Sequence, residues 1–308
     1  MTESVDLGRR LAAGDIILID GGTSTELEAR DFQLHQSAWS GSLNLDHLDA
    51  VQAVHEDYIR AGAEVIISNT YATSRAAMEP AGLGDRVAEV NRRAVEAALR
   101  ARDAAAGDRP VAVAGSMSSF TTLLAGPVLR ANAASFSEQA AILAKAGVDL
   151  IVLEMIDALD YGPAAMEAAA ATGLPVWLGM SPARTQAGAL GVFEEPVGFE
   201  ELVAGLVRPG LAAVNVMHAK PDVVAEALGI IRRYTDVPLG AYAETGEWIS
   251  PKWHFTGLSP EEYCPVARSW LDSGAQLIGG CCGTRPAHIR ALAASLPRSL
   301  PAVQPSAG

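Results

Sequence analysis

Eight short segments of apolar and β-branched residues recur along the chain, and segments with helical period separate them. The eight segments are residues 16–20, 65–69, 111–116, 150–154, 176–181, 213–217, 237–241 and 276–281. Their mean spacing is about 37 residues, close to the length of one strand–helix unit. Near-continuous apolar strands that alternate with helices indicate a parallel sheet covered on both faces. The pattern therefore predicts an α/β fold, a single (β/α)8 TIM barrel.

The length and composition limit the domain organisation and the function class. The 308 residues contain no composition shift that marks a second domain, so we expect the barrel to span residues 1–296 and residues 297–308 to form a flexible tail. A formal net charge of −13 argues against nucleic acid as a partner. The sequence has neither a signal-peptide core nor a membrane-length apolar run, and its three cysteines make no disulfide framework. We therefore expect a cytoplasmic protein without membrane partners, and its oligomeric state is left open.

The chemistry of a TIM barrel lies at the C-terminal ends of its strands, which selects candidate residues. The eighth segment ends in Gly-Gly-Cys-Cys-Gly-Thr at residues 279–284. Cys281 and Cys282 are adjacent, so they pair poorly with each other, but both can bind one thiophilic metal such as Zn2+. The alternative is that both are small buried apolar residues. Their place at the end of the last strand favours a metal site.

A catalytic zinc site needs about three protein ligands and one open position. His218 follows the sixth strand and is the best-placed third ligand, although its imidazole could instead order a loop or bind substrate. His254, after the seventh strand, is a weaker competitor. Cys264 falls in the helical pattern before the eighth strand and is discounted.

Carboxylates and aromatic residues stand at other strand ends. Glu154 ends the fourth strand, where it suits an anchor for a cationic group or a general base, or an ion pair with a loop arginine. Asp20 ends the first strand before two glycines, which suits a binding site or an ordinary turn. Tyr242, Trp248 and Trp253 stand in the loop after the seventh strand, where they can bind a sulfonium or ammonium cation or simply cover the mouth.

These strand ends resemble the homocysteine S-methyltransferase family over residues 12–295. Asp-Gly-Gly-Thr-Ser-Thr-Glu-Leu at residues 20–27 resembles its N-terminal signature, and Asn-Thr-Tyr at residues 69–71 its second-strand motif. Glu154 stands where the family keeps a substrate-binding glutamate, and residues 279–284 resemble its zinc-binding signature. The resemblance implies a zinc-dependent methyltransferase that converts homocysteine to methionine. Family donors include S-methylmethionine, S-adenosylmethionine and betaine, and the compact length resembles the sulfonium-using members.

The motifs and the strand-end positions together assign roles to individual residues, with a small-molecule thiol and a methyl donor as partners. The resemblance implies Cys281 and Cys282 as Zn2+ ligands, and its position after the sixth strand makes His218 the third. The substrate-binding residues would be Asp20, Gly21, Gly22, Thr23, Thr70, Glu154 and Asn215, and the donor-binding residues would be Tyr242, Trp248 and Trp253.

The sequence departs from the family pattern at two positions. The family's third zinc cysteine follows an asparagine at the end of the sixth strand, but here Asn215 is followed by Val216, which cannot bind metal. Strand alternation aims His218 to the same side as Val216, so we hypothesise a Cys2His site. Ala-Glu at residues 243–244 replaces the usual Pro-Asn, which leaves the donor and the acceptor open.

Other functions fit parts of the sequence. One is a methyltransferase of the same fold that acts on another thiol or donor. A barrel lyase or aldolase would need Glu154 or a lysine with a phosphate site, but none of Lys145, Lys220 and Lys252 ends a strand. A paralogue whose metal site has decayed at Val216 would only bind thiols or metal. Zinc content separates these last two alternatives from the methyltransferase.

Overall fold

The computed structural model of the protein describes residues 6–120, 133–193, 195–249, 252–254 and 257–300. The strands are β1 (Ile17–Leu18), β2 (Val65–Ile67), β3 (Ala112–Ser118), β4 (Leu150–Glu154), β5 (Val176–Met180), β6 (Pro182–Arg184), β7 (Leu190–Val192), β8 (Glu195–Gly198), β9 (Ala213–Met217), β10 (Leu239–Ala243), β11 (Glu247–Ile249), β12 (Lys252–His254) and β13 (Ala275–Gly280). The α-helices are α1 (Leu7–Ala12), α2 (Thr23–Glu28), α3 (Leu43–Asp46), α4 (Leu48–Ala61), α5 (Arg75–Met78), α6 (Val87–Ala105), α7 (Ala133–Ala146), α8 (Gly162–Ala170), α9 (Phe199–Leu206), α10 (Val224–Arg232), α11 (Pro260–Asp272) and α12 (Pro286–Ser295).

Eight of these strands form one parallel sheet in the order β1-β13-β10-β9-β5-β4-β3-β2. Ile19 makes a parallel bridge with Val65, and the Asp20 amide donates to the Val65 carbonyl oxygen at 3.0 Å. The first and last strands of the order therefore meet, and the sheet closes into a ring. Each of the eight predicted segments overlaps one barrel strand, and the predicted (β/α)8 barrel is confirmed.

Alternate residues of each strand face opposite sides of the ring. Ala213 and Met217 of β9 belong to the cluster that fills the barrel interior, whereas Val214 and Val216 pack with the helices. The helices present matching apolar faces, as in α4, where Val51 is fully buried in the same outer layer. This two-sided burial explains why the strands read as near-continuous apolar runs.

The seventh barrel strand begins two residues later than predicted. The expected segment 237–241 includes Pro238, which has no amide hydrogen to donate to a neighbouring strand. The strand begins after it, at Leu239, and continues to Ala243. Tyr242 consequently lies inside β10 and faces the barrel interior, not in the following loop as expected.

Two small antiparallel sheets in the barrel loops were not predicted. Strands β6, β7 and β8 form one sheet after β5, and β11 pairs with β12 after β10. The sequence pattern was read for one strand per strand–helix unit, so these short additional strands were not detected. At the C-terminus, the Leu300 amide donates to the Gly14 carbonyl oxygen at 2.9 Å, and residues 301–308 of the predicted tail lie outside the described residues. None of the described helices is long and apolar enough to cross a bilayer.

Candidate metal centre at the barrel mouth

Cys281 and Cys282 follow β13 in a tight turn. The Thr284 hydroxyl donates to the Cys281 carbonyl oxygen at 2.6 Å and closes the turn. Gly283 has a φ of +83°, and a Cβ there would lie 2.2 Å from the amide nitrogen of Gly246. A glycine is required at this position because the loop after β10 passes so close. The local sequence therefore holds both thiols at the end of the strand.

His218 joins the two cysteines, but not by the route that strand alternation predicts. Val216 packs with the helices, so a strand continued past Met217 would turn the His218 side chain outward with it. β9 ends at Met217, and His218 has a left-handed backbone with a φ of +43°. This conformation is uncommon outside glycine. The expectation from alternation is wrong, because the backbone turn brings the imidazole to the cysteines.

Three ligand atoms lie at distances that suit one metal ion. The Sγ atoms of Cys281 and Cys282 are 3.9 Å apart, and Nδ1 of His218 is 3.8 Å from the first and 3.6 Å from the second. A tetrahedral zinc ion with bonds of about 2.3 Å to sulfur and about 2.0 Å to nitrogen separates its ligand atoms by roughly 3.5 to 3.8 Å. Within the described ranges, this is the one group of three such donors within 4.8 Å of one another, and neither His254 nor Cys264 joins it.

The three side chains share their protons unequally. The hydrogen bond with Cys282 and the contact with His218 outweigh burial and lower the pKa of Cys281 to about 5. Burial alone would lower the pKa of His218, but the hydrogen bond and charge of Cys281 raise it to about 9. The hydrogen bond to Cys281 and burial raise the pKa of Cys282. Near neutral pH the protons therefore reside on His218 and Cys282, and metal binding would release both.

His218 has charged and aromatic neighbours. Glu244 directly follows β10 and places Oε2 3.5 Å from Nδ1 of His218 and Oε1 3.0 Å from Nζ of Lys220. The rings of Phe193 and Trp253 meet the imidazole edge-on, with centroid distances of 5.1 and 6.3 Å. Sequence reasoning registered Glu244 only as a departure from the family pattern. A carboxylate directly after a barrel strand was the available signal.

Two predicted carboxylates lie near the cysteines. The Ser116 hydroxyl donates to Oε2 of Glu154, and burial, together with the charge of Cys281, raises the pKa of Glu154 to about 7 against the effect of that hydrogen bond. The Ile67 amide donates to Oδ2 of Asp20 at 2.8 Å. Burial raises the pKa of Asp20 well above its ordinary value, and the Glu154 charge adds to this. Both groups can therefore gain from a cationic ligand.

The three aromatic residues predicted for donor binding lie in different places. Tyr242 is buried inside β10 beside Glu154, whose charge and the burial raise the pKa of the phenol. Trp253 is buried on β12 next to His218. Trp248 pairs with Trp253 across the hairpin, and its side chain lies outside the described residues. Their role toward a donor stays a prediction.

Residues 21–23 form the loop between β1 and α2. A Cβ at Gly22 would lie 2.8 Å from the Cys281 carbonyl oxygen, and one at Gly21 would lie 2.8 Å from a ring carbon of Tyr58. Gly22 thus lets this loop pack backbone to backbone against the cysteine turn, and Gly21 leaves room for the Tyr58 ring. Thr23 begins α2 and is partly exposed.

Thr70 and Asn215 are fully buried. The Thr70 hydroxyl donates to the Ser116 carbonyl oxygen at 2.8 Å, so it supports the strand that carries the hydrogen-bond donor to Glu154. The Asn215 side chain lies on β9, and neither of its amide atoms has a hydrogen-bond partner among the described residues. A substrate contact for either residue stays a prediction.

Sequence reasoning missed Asp157, and it quoted Tyr71 only as part of the Asn-Thr-Tyr motif, without a role. The Ser181 amide donates to Oδ1 of Asp157 at 2.8 Å, and the Asp157 charge contributes to the raised pKa of His218. The Tyr71 hydroxyl donates to Sδ of Met155 at 2.8 Å. Asp157 follows β4 by three positions, so a wider window at that strand end would have included it.

The chain is similar to known proteins over nearly its whole length. The sequence profile of a family described as homocysteine S-methyltransferase matches residues 17–296. Homocysteine S-methyltransferase from Escherichia coli (strain K12) is 30% identical, and the alignment covers 96% of this chain and 99% of that protein. Homocysteine S-methyltransferase 4 from Zea mays is also 30% identical, with coverages of 91% and 89%. The crystal structure of the homocysteine methyltransferase MmuM from Escherichia coli in its metallated form has a TM-score of 0.76 at 27% identity and coverages of 94% and 99%.

Proposed function

The chain belongs to the homocysteine S-methyltransferase family and is a methyltransferase, and from this premise we propose that it moves a methyl group from the sulfonium donor S-methylmethionine to the thiol of homocysteine, giving methionine. The observation that carries the proposal is the spacing of the His218, Cys281 and Cys282 ligand atoms, 3.6 to 3.9 Å. Two thiols and one imidazole, with room for a fourth ligand, are the donor set of a catalytic zinc site.

Zinc is the proposed cofactor, held by Cys281, Cys282 and His218. A zinc ion there would act as a Lewis acid that lowers the pKa of the acceptor thiol, which is about 8.5 for a free cysteine, and so keeps the nucleophile ionised at neutral pH. A cytoplasmic location suits this centre, because a reducing compartment preserves the two thiolates.

The part of the barrel mouth that carries Glu154 and Asp20 binds the amino-acid part of homocysteine. Glu154 accepts hydrogen bonds from the α-ammonium group, and the Ser116 hydroxyl holds its carboxylate in place. The substrate carboxylate accepts hydrogen bonds from the Thr23 hydroxyl and from the backbone amides of residues 21–23, next to the cysteine turn. Among these amides, that of Gly22 also donates to the Thr284 carbonyl oxygen at 3.3 Å. Asp20 adds negative charge near the ammonium group, and Thr70 acts indirectly through its hydrogen bond to Ser116.

The charge of the mouth favours a cationic methyl donor. Asp20, Glu154, Asp157 and Glu244 each interact electrostatically with a member of the cysteine cluster, and burial raises the pKa of Asp20 and of Glu154. A cationic ligand therefore favours the ionised form of these carboxylates. The acceptor sulfur attacks the methyl carbon as a new carbon–sulfur bond forms and the donor's carbon–sulfonium bond breaks. The electron pair of the broken bond stays on the donor sulfur, which leaves as a neutral thioether. The protein therefore needs no general acid for the leaving group.

The proposal is tested by measuring zinc per chain and homocysteine methylation from S-methylmethionine on the same samples of wild type and His218→Ala. We expect one zinc ion and methionine formation in the wild type, and the loss of both in the variant. Full metal content and activity in His218→Ala would refute the ligand role of His218. Zinc without methylation would indicate another donor or thiol, and a zinc-free wild type would indicate a degenerate thiol-binding paralogue.

A further inference from the structure

Among the ion pairs of the described residues, Glu244 is the carboxylate that contacts the imidazole of the candidate centre. Its Oε2 lies 3.5 Å from Nδ1 of His218. Both side chains are only 12% exposed, so their interaction is little screened by solvent. The distance is longer than a good hydrogen bond, and Nδ1 is also the nitrogen that faces the two cysteines. The carboxylate therefore lies beside the proposed metal position and acts on the centre through its charge.

Several contacts hold the Glu244 carboxylate where it is. Its own amide donates to the Ala219 carbonyl oxygen at 3.1 Å, which ties the end of β10 to the loop that carries His218. Lys220 contacts Oε1 of Glu244 at 3.0 Å and also donates to the Gly246 carbonyl oxygen at 3.2 Å. Lys220 thus bridges the two loops and fixes the carboxylate from the side away from the imidazole.

The His218 ring needs such support because its own strand does not provide it. The residue lies beyond the end of β9 with a left-handed backbone. Phe193 and Trp253 contact the ring edge-on. Glu244 supplies the charged contact that draws the imidazole, and any cation it helps to hold, toward the end of β10.

We propose that Glu244 is a positioning residue for the metal centre, which keeps the His218 imidazole against Cys281 and Cys282, and that Lys220 holds Glu244 in this role. The inference rests on the proposed Cys2His zinc site. Outer residues that orient metal ligands typically change metal affinity by about 10- to 100-fold when they are removed. The carboxylate also adds negative charge beside a divalent cation, so its loss weakens binding in the same direction.

The experiment compares zinc dissociation constants, measured at one pH by competition with a chromophoric chelator, for wild type and three variants. We expect Glu244→Gln to raise the constant by about 10- to 100-fold, and Lys220→Met to raise it by a smaller factor. Glu247→Gln is the matched control, because it removes the same charge from an exposed position three residues further on, and it should bind zinc as the wild type does.

Two further readouts separate positioning from other roles. The thermal midpoint of metal-free Glu244→Gln should match that of the metal-free wild type, since a residue of purely structural importance would lower it. The absorption spectrum of the cobalt-saturated variant should also be unchanged, and an altered spectrum would make Glu244 a direct ligand and overturn the proposal.

The remaining outcomes are equally decisive. Equal zinc affinity in Glu244→Gln and Glu247→Gln would refute a special role for Glu244. Tighter binding in Lys220→Met would show that Glu244 acts through charge alone and would overturn its positioning by Lys220. A wild-type chain that binds no zinc would instead refute the proposed function, so the two failures are distinguishable.

Discussion

The two sides of the barrel mouth are built differently. On the side of β2 and β3, buried polar groups are paired with one another: the Asn69 side chain accepts from Ser40 at 2.5 Å and donates to Asn44 at 2.9 Å. On the side of β9 and β13, the donor atoms of His218, Cys281 and Cys282 face one another at 3.6 to 3.9 Å.

This difference separates a framework from a centre that a ligand completes. Buried polar groups that are fully hydrogen-bonded make a rigid wall and gain little from an added ligand. Sulfur and nitrogen atoms held at metal-ligand spacing gain the most from a cation. The side-chain amide of the buried Asn215 on β9 has no hydrogen-bond partner among the described residues. It therefore also belongs to the groups that a ligand would complete.

Substitutions of the two cysteines should have the largest effect on the difference between the two sides of the mouth. Replacing Cys281 or Cys282 by serine should abolish stoichiometric zinc and lower kcat/KM by more than about 100-fold, which is the loss that even outer residues of a metal site can cause. Metal analysis and a methylation assay measure the two effects. Cys264→Ser, on α11, is the matched control and should retain both. Activity that survives without zinc would contradict the metal-centre interpretation.

A substitution at Glu154, which accepts a hydrogen bond from Ser116 on β3, tests whether this side of the mouth binds the substrate through charge. In Glu154→Gln, KM for homocysteine should rise by roughly 10- to 100-fold, since a hydrogen bond between charged groups contributes about 1.5–3 kcal/mol. Only the ionised carboxylate attracts an ammonium group, and burial raises the pKa of Glu154 to about 7. KM of the wild type should therefore rise as the pH falls through about 7, and the variant should show no such rise. The pH dependence of KM in both proteins decides this, and the same acid limb in the variant would assign it to another group.

Thr70 gives the smallest expected effect and tests the framework itself. Thr70→Val would leave the buried Ser116 carbonyl oxygen without its donor, so the free energy of unfolding should fall by about 1–3 kcal/mol. Denaturant unfolding measures this change. Zinc content should match the wild type, and KM for homocysteine should rise by less than in Glu154→Gln, because Thr70 acts on Glu154 through Ser116. A raised KM with unchanged stability would instead make Thr70 a direct substrate contact, as the family resemblance implies.

The fold was largely predictable because its signal is repeated. Each barrel strand is buried on both faces, so each produces an apolar run, and eight runs at regular spacing favour one architecture. The two small antiparallel sheets escaped prediction, since strands of three or four residues in loops leave no comparable pattern. Pro238 shifts the start of the seventh strand and thereby places Tyr242 inside it. This shift was predictable, because a proline lacks the amide hydrogen that a central strand needs.

The candidate site was predictable where one strand end carries the whole motif. Cys281 and Cys282 are adjacent, so their shared position needs no tertiary information. The placement of His218 depends on a left-handed residue beyond a strand, and the contact with Glu244 joins two loops 26 residues apart. Both the backbone turn at His218 and its contact with Glu244 depend on tertiary packing. Strand alternation alone predicted the wrong direction for the His218 side chain.

The position of the cysteines directly after β13 links metal supply to the completion of the ring. β13 pairs with β10 on one side and with β1 on the other, so the sheet cannot close until this last barrel strand has been made. The turn after this strand carries two of the three proposed ligands, and the third directly follows β9. Zinc that binds only the closed ring would add its binding free energy to closure. In a growing cell, the zinc supply would then govern the yield of folded chains as well as their turnover.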